Sequence, residues 1–315
     1  MKRLWILLII AFILAIVLFV PLIGHHRRKV SGLNPDNFQN RPARIVSLAP
    51  NLTEILFALG LRERIVAVSN GSNYPPEAAN KKKIGTFWQP NTEAVIASKP
   101  DLVITLRTRT EQQKSVADSL NRLGYKVLTL KIEKIQELLT AIQKIGTAAD
   151  CRQRADELVE NISNQLNNLQ LKLSLANKVK VLWVVQVEPL RVAGRNTFIN
   201  EMIELAGGEN AIGPTISQYP QIGTEELLTC GAEAIIQSAM GTGNIRGQQQ
   251  AAEAFWSKFA ALPAVKNNRI YVIDPDTTLR LGPRLPQGAE TIARCLQPDS
   301  FKRTGDSAQQ GGKII

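Results

Sequence analysis

Apolar residues along this chain fall into three kinds of run, and each predicts a different element. Short apolar blocks bounded by Gly, Pro, Asn or Asp predict buried strands at 44–49, 65–69, 102–104, 126–130, 179–185, 234–236 and 269–273. Between them, apolar positions stepping by three and four predict helices at 51–59, 110–123, 134–145, 198–205, 251–259 and 286–296. Gly60, Gly124 and Gly207-Gly208 stand where three of these helices end, and Asn51 with Glu54 reads as a capping box at the start of the first. Strands alternating with helices imply parallel sheets covered on both faces. Residues 150–176 differ: the stretch 150–175 has no Gly or Pro and carries Ala155, Leu158, Val159, Ile162, Leu166, Leu169 and Leu173 at helical spacing. At 1.5 Å per residue one helix here would be about 39 Å long, enough to run behind two lobes; a coiled-coil partner helix is the alternative.

A thirteen-residue pattern occurs twice, starting at Thr92 and at Thr224. Each copy opens with Thr-Glu on a short helix, breaks at Lys99-Pro100 or Gly231-Ala232, and continues with an acid, Asp101 or Glu233, into a buried strand. Two matching units imply two similar lobes with a cleft between them, and Glu93 and Glu225 recur at the same place in each.

The third kind of run is a single one. Residues 4–23 open at Leu4, close at Ile23 and hold no charge, with Lys2-Arg3 before them and His25-His26-Arg27-Arg28-Lys29 after. That length spans a bilayer of about 30 Å, which favours an uncleaved anchor over a shorter signal peptide. Both flanks are basic, so charge alone leaves the orientation open. Residues 30–43 read as a polar linker, and 298–315 as a disordered tail. The net charge is +11, of which Lys2, Arg3, Arg27, Arg28 and Lys29 supply five, leaving a mildly basic globule of +6. No Lys/Arg run is interleaved with aromatics, so nucleic acid is not an expected partner. Lys81-Lys82-Lys83 reads as a solvated turn. Cys151, Cys230 and Cys295 have neither zinc-ligand nor framework spacing and read as buried small side chains.

Several segments resemble one family in order: 44–60, Asn73-Tyr74-Pro75-Pro76-Glu77-Ala78, Pro90-Asn91-Thr92-Glu93 through Ile104, Leu205-Ala206-Gly207-Gly208-Glu209-Asn210, and Arg280-Leu281-Gly282-Pro283-Arg284. They are similar to the class III substrate-binding proteins of ABC importers, the cobalamin and iron-siderophore group with a helical backbone. The resemblance implies two α/β lobes, at 44–149 and 177–297, joined by one rigid helix. It also implies an extracytoplasmic, monomeric protein that needs no intrinsic cofactor. It further implies docking onto a permease dimer through one glutamate per lobe, which falls on Glu93 and Glu225. Read without it, both are acids favoured by a helix N-terminus.

For the ligand, the resemblance points to cleft aromatics at Trp88 and Tyr219, while Gly71 and Leu106 stand where cobalamin binders can place others. Arg107, Arg109, Arg191, Arg195 and Arg280 offer guanidinium groups suited to carboxylates or phosphates, and Asp276 offers a carboxylate from the second lobe. The only histidines, His25 and His26, abut the apolar run, so a bare metal ion is not an expected ligand. A heme, a corrinoid or a ferric siderophore each fits. Neither a nucleophile elbow, a phosphate loop nor a His-Glu-x-x-His motif is present, which argues against an enzyme. A tethered sensor or scavenger of the same ligands, with no permease, is the alternative function.

Overall fold

The computed structural model describes residues 41–107, 111–240 and 244–302. The apolar run at 4–23, most of the 30–43 linker, Arg109 and residues 303–315 lie outside these. Among the described residues no helix is long and apolar enough to cross a membrane.

The first lobe comprises β1 (Ile45–Ser47), α1 (Pro50–Ala58), β2 (Ile65–Val68), β3 (Lys82–Lys83), α2 (Thr92–Ala97), β4 (Leu102–Leu106), α3 (Glu111–Arg122), β5 (Val127–Leu130) and α4 (Ile135–Ala148). Its sheet runs β3-β2-β1-β4-β5, with every pair parallel. The bridging helix α5 (Arg152–Leu173) follows. The second lobe comprises β6 (Val179–Gln186), β7 (Arg191–Val192), α6 (Phe198–Leu205), β8 (Gly208–Asn210), α7 (Thr224–Thr229), β9 (Ala234–Ser238), α8 (Ile245–Trp256), α9 (Pro263–Lys266), β10 (Ile270–Ile273), α10 (Pro275–Thr278) and α11 (Leu285–Leu296). There β6 pairs in parallel with β8 and β9, and β9 with β10, so β8-β6-β9-β10 repeats the order β2-β1-β4-β5. The expected all-parallel sheet is not complete, because β7 joins β6 antiparallel.

The two repeat units fold alike, as helix, turn and strand. Lys99 and Gly231 occupy the same place and both adopt positive φ, 45° and 66°. The repeated acid has a structural task at the entry of each central strand. Asp101 Oδ2 accepts the backbone N–H groups of Ala43 and Arg44 at 2.8 Å, and Glu233 Oε2 accepts that of Lys180 at 2.8 Å.

The strands read as continuous apolar runs because both sheet faces are covered. Along β4, Leu102 and Ile104 face one core while Val103 faces another; along β9, Ala234 and Ile236 do so opposite Ile235. The larger core is continuous through both lobes. From α1 and α4 it passes along Ala155, Ile162, Leu166, Leu169 and Leu173 of α5 to α6 and α11. One buried seam therefore ties the lobes together behind the cleft.

Four local expectations change. Asn51 lies inside α1, whose N-cap is Ala49 without a side-chain bond, so Asn51 and Glu54 form no capping box; both side chains turn to the other lobe. Lys82-Lys83 is an exposed edge strand rather than a turn, with Lys83 Nζ donating to the carbonyls of Ser72 at 2.8 Å and Ala78 at 3.1 Å. Helix α8 starts at Ile245, six residues before the sequence pattern, because Asn244 caps it by accepting the Gly247 N–H at 3.0 Å. Order continues past 297 through Pro298–Phe301, where Lys172 and Arg294 sit over the Phe301 ring at 4.4 and 4.5 Å.

Candidate functional site

In each lobe, chain segments leaving the carboxyl ends of the parallel strands turn toward the opposite lobe, the place where open α/β sheets receive ligands. Together they line a cavity of about 560 Å³. From the first lobe come Ala49, Pro50 and Asn51 after β1, Phe87 and Trp88, Leu106 and Arg107 at the end of β4, and Ile132 and Glu133 after β5. From the second come Thr197 and Phe198, Gln218 and Tyr219, and Leu279, Arg280 and Leu281. Such a volume is ordinary for a small-molecule site.

The aromatic walls are held by backbone. Gly85, at φ 93°, lets its loop fold back on itself, and a Cβ there would lie 2.5 Å from the Gln89 carbonyl oxygen and 2.8 Å from the Asn91 nitrogen. That closure presents Phe87 and Trp88, edge to face at 4.8 Å, with Trp88 62% exposed. Opposite, the Gly194 N–H donates to the Gln218 carbonyl at 2.8 Å and the Val192 N–H to that of Pro220 at 3.1 Å, which fixes Tyr219 between two anchored neighbours. Burial and the Glu133 carboxylate across the cleft raise the pKa of the Tyr219 phenol.

Beside the cavity the lobes are clasped by a polar cluster. Glu54 of α1 is almost wholly buried and receives Arg284 in a fork, Nε to Oε2 at 3.0 Å and Nη2 to Oε1 at 2.7 Å. Arg280 Nη1 donates to Glu54 Oε1 at 3.0 Å and to Asn73 Oδ1 at 3.1 Å, and its Nη2 to Asp276 Oδ1 at 2.6 Å. Asn73 Nδ2 donates back to Asp276 Oδ2 at 3.2 Å, Asn51 Nδ2 donates to the Leu281 carbonyl at 3.0 Å, and the Arg284 guanidinium lies 3.9 Å over the Tyr74 ring. The hydrogen bonds that Arg284 donates to the Glu54 carboxylate raise its pKa.

The sequence-predicted residues thus divide. Trp88, Tyr219, Arg107 and Arg280 come together in the cavity. Arg195 does not; it donates to the Ile212 carbonyl at 2.9 Å and meets Glu209 at 3.4 Å. Asp276 and Arg191 are not among the lining residues either, the first being engaged in the clasp. Leu106 is a wall, and Gly71 is not. Glu93 and Glu225 are exposed in the first turns of α2 and α7, with no ion-pair partner among the described residues. Phe87, Phe198 and Glu133 escaped the sequence reading, as did the role of Glu54. The Arg280/Arg284 spacing was the one available signal for the clasp. Among the described residues no group of three His, Cys, Asp or Glu could hold a metal ion.

The family model described as periplasmic binding protein matches residues 45–277, the first lobe, the bridge and most of the second lobe. The chain belongs to the periplasmic binding protein family. Its members bind solutes and are not enzymes. An uncharacterized ABC transporter substrate-binding lipoprotein, YvrC, of Bacillus subtilis (strain 168) is 32% identical over 269 residues, 84% of this chain and 83% of that protein. A vitamin B12-binding protein of Vibrio parahaemolyticus is 27% identical over 267 residues, 84% of this chain and 92% of that protein. A possible iron-binding (periplasmic solute-binding) protein of Staphylococcus epidermidis, of solved structure, superposes with a TM-score of 0.73 at 27% identity, covering 81% of this chain and 98% of that one.

Proposed function

We propose that this protein is an extracytoplasmic, membrane-tethered solute-binding protein. In this reading it captures a metal chelate or corrinoid-type ligand between its lobes and delivers it, as a monomer, to an ABC importer. The observation that carries the reading is the cavity between two lobes of matching topology, walled by Trp88, Phe87, Tyr219 and Phe198. Those flat apolar faces suit a macrocycle or an aromatic chelate. The vitamin B12-binding and iron-binding relatives support that ligand class, and the lipoprotein relative supports a membrane tether. Residues 4–23 would provide that tether as a single-pass anchor, with the folded part on the outer side.

Docking falls to Glu93 and Glu225. Each stands in the first turn of a helix at the same point of its lobe, exposed and without an ion-pair partner among the described residues. Paired carboxylates on a pseudo-symmetric body suit the arginines of a two-fold permease. Replacing both with alanine is expected to abolish uptake of the ligand by cells while leaving its affinity for the purified protein within about twofold, a free-energy change of about 0.4 kcal/mol. Unchanged uptake in the double variant would instead favour a tethered sensor with no permease.

A further inference from the structure

The parallel strands of the first lobe begin at the end opposite the cleft, since the cavity lies at their carboxyl ends. The segments that open them are 42–44, 61–64, 81–82, 98–101 and 124–126. Together these hold seven basic residues against two acids, Glu63 and Asp101. The described residues as a whole carry 30 basic and 25 acidic side chains, so this one face holds the entire positive excess. The corresponding segments of the second lobe, 176–178, 205–207, 230–233 and 266–269, hold three basic residues against one acid.

Helices end on this face, and a helix C-terminus favours cations. Arg44 Nη2 donates to the Ser98 carbonyl at 2.7 Å and Arg64 Nη2 to that of Ala149 at 2.8 Å, at the ends of α2 and α4. Those carbonyls are uncharged, so the net charge of both guanidinium groups remains. Arg62 is matched by Glu63 and Glu77, at 3.6 Å each. Capping does not account for Lys82, Lys99 and Lys126, which are exposed and whose side chains make no hydrogen bond or ion pair with the described residues. An edge lysine deters strand pairing, but that explains Lys82 alone. Lys82 and Lys126 stand at opposite edges of the sheet, on β3 and just before β5, so the charge spans the whole face. Near the β5 edge Leu123, 61% exposed at the end of α3, adds an apolar side chain between Arg122 and Lys126. A broad basic surface with an exposed leucine matches a bilayer surface of anionic headgroups.

We propose that this face of the first lobe rests on anionic lipid headgroups, a step that takes the membrane tether proposed above as given. The chain enters the lobe on the same face, at Pro42, three residues before β1. Residues 24–41 separate Pro42 from the apolar run and reach at most about 60 Å when extended. Resting there, the domain turns its cleft away from the bilayer and toward arriving solute. Glu93 begins α2 at the helix end away from this face. Docking through it therefore needs the domain to lift off and turn over, which such a linker permits. Capture and delivery become two orientations of one tethered body, exchanged by breaking salt-sensitive contacts.

The test reconstitutes the full-length protein into vesicles of equal parts phosphatidylglycerol and phosphatidylcholine, and into phosphatidylcholine alone. Flotation reports the tether, and amide hydrogen exchange reports the face. The protein should float with both compositions. Exchange at 98–101 and 124–126 should be slower by about fivefold or more in the anionic vesicles, with the cleft loop 85–91 unchanged. Added salt should remove the difference, and so should Lys82→Glu combined with Lys126→Glu. Both lysines are exposed, and circular dichroism checks that the variant folds. Equal exchange in the two compositions, with flotation intact, would overturn the inference and leave the tether standing. Protection at 85–91 instead would also overturn it, since the cleft would then face the bilayer. Flotation with neither composition would sink the tether and the inference with it.

Discussion

Glu54 shows how one side chain can serve a task that its neighbourhood in sequence does not announce. Its carboxylate leaves water almost completely, which is tolerable because the Arg284 fork and Arg280 meet it with three donors. Replacing it with alanine leaves two guanidinium groups facing an apolar hole. We expect Glu54→Ala to lower stability to urea by about 3–5 kcal/mol and Glu54→Gln, which keeps the shape and one acceptor, to lower it less. Loss of under about 0.5 kcal/mol in either, within the range of an ordinary surface change, would mean that the clasp contributes nothing to the fold. A second residue-scale expectation concerns Cys295, whose half-buried thiol is pushed up to about 11 by burial. A thiol raised above its unfolded value, about 8.5, contributes stability that is fully present below that pH and lost as pH rises toward 11. At pH 9, native protein should therefore alkylate at Cys295 much more slowly with iodoacetamide than urea-unfolded protein does. Equal rates, read by mass spectrometry, would contradict it.

Among elements, the short helix–turn–strand unit repeats the most. Its turn needs a left-handed residue, which glycine supplies freely at 231 and lysine adopts at some cost at 99. Its acid then closes the entry of the neighbouring central strand. Because Asp101 accepts two backbone N–H groups and Glu233 one, Asp101→Ala is expected to cost more than Glu233→Ala. Both sites are solvent-accessible, so water partly replaces the lost acceptor and the cost for Asp101 should be about 1 kcal/mol. Urea unfolding of the two single variants measures the order; a larger loss at Glu233 would reverse the assignment. Helix α5 is the opposite case, an element whose worth lies in its partners. Its buried stripe joins the cores of both lobes rather than completing either.

For the whole molecule, that continuous core predicts coupled lobes. Ile162, 1% exposed on α5, sits among residues of the shared core. Ile162→Ala should destabilise the protein by about 2–5 kcal/mol and still leave a single transition. Trp88 reports on the first lobe, and Trp183 and Trp256, both fully buried, on the second. Removing Trp88 should leave the midpoint read from the other two unchanged. Two separated midpoints would show instead that the lobes unfold independently. A rigid back and a clasp beside the cavity also leave little room for wide hinge motion, so ligand capture should change lobe spacing only slightly, measurable as a small change in radius of gyration by X-ray scattering.

The strands, helices and paired units were legible from the residues because both sheet faces are buried, which leaves unbroken apolar runs, and because glycines and capping residues mark helix ends locally. Trp88, Tyr219, Arg107 and Arg280 were legible as cleft residues through their place in a recognisable pattern. Other assignments depend on residues far apart in sequence. Glu54 and Arg284 are separated by 230 positions, and nothing near Glu54 distinguishes a buried ion from a helix-capping acid. Arg195 and Arg107 look equivalent as letters, yet one meets Glu209 and a carbonyl while the other faces the cavity. Local propensity and periodicity act within a few residues and so are written in the sequence. The pairing of charges and the walls of a cleft arise only when two lobes meet, so the tertiary structure decided them.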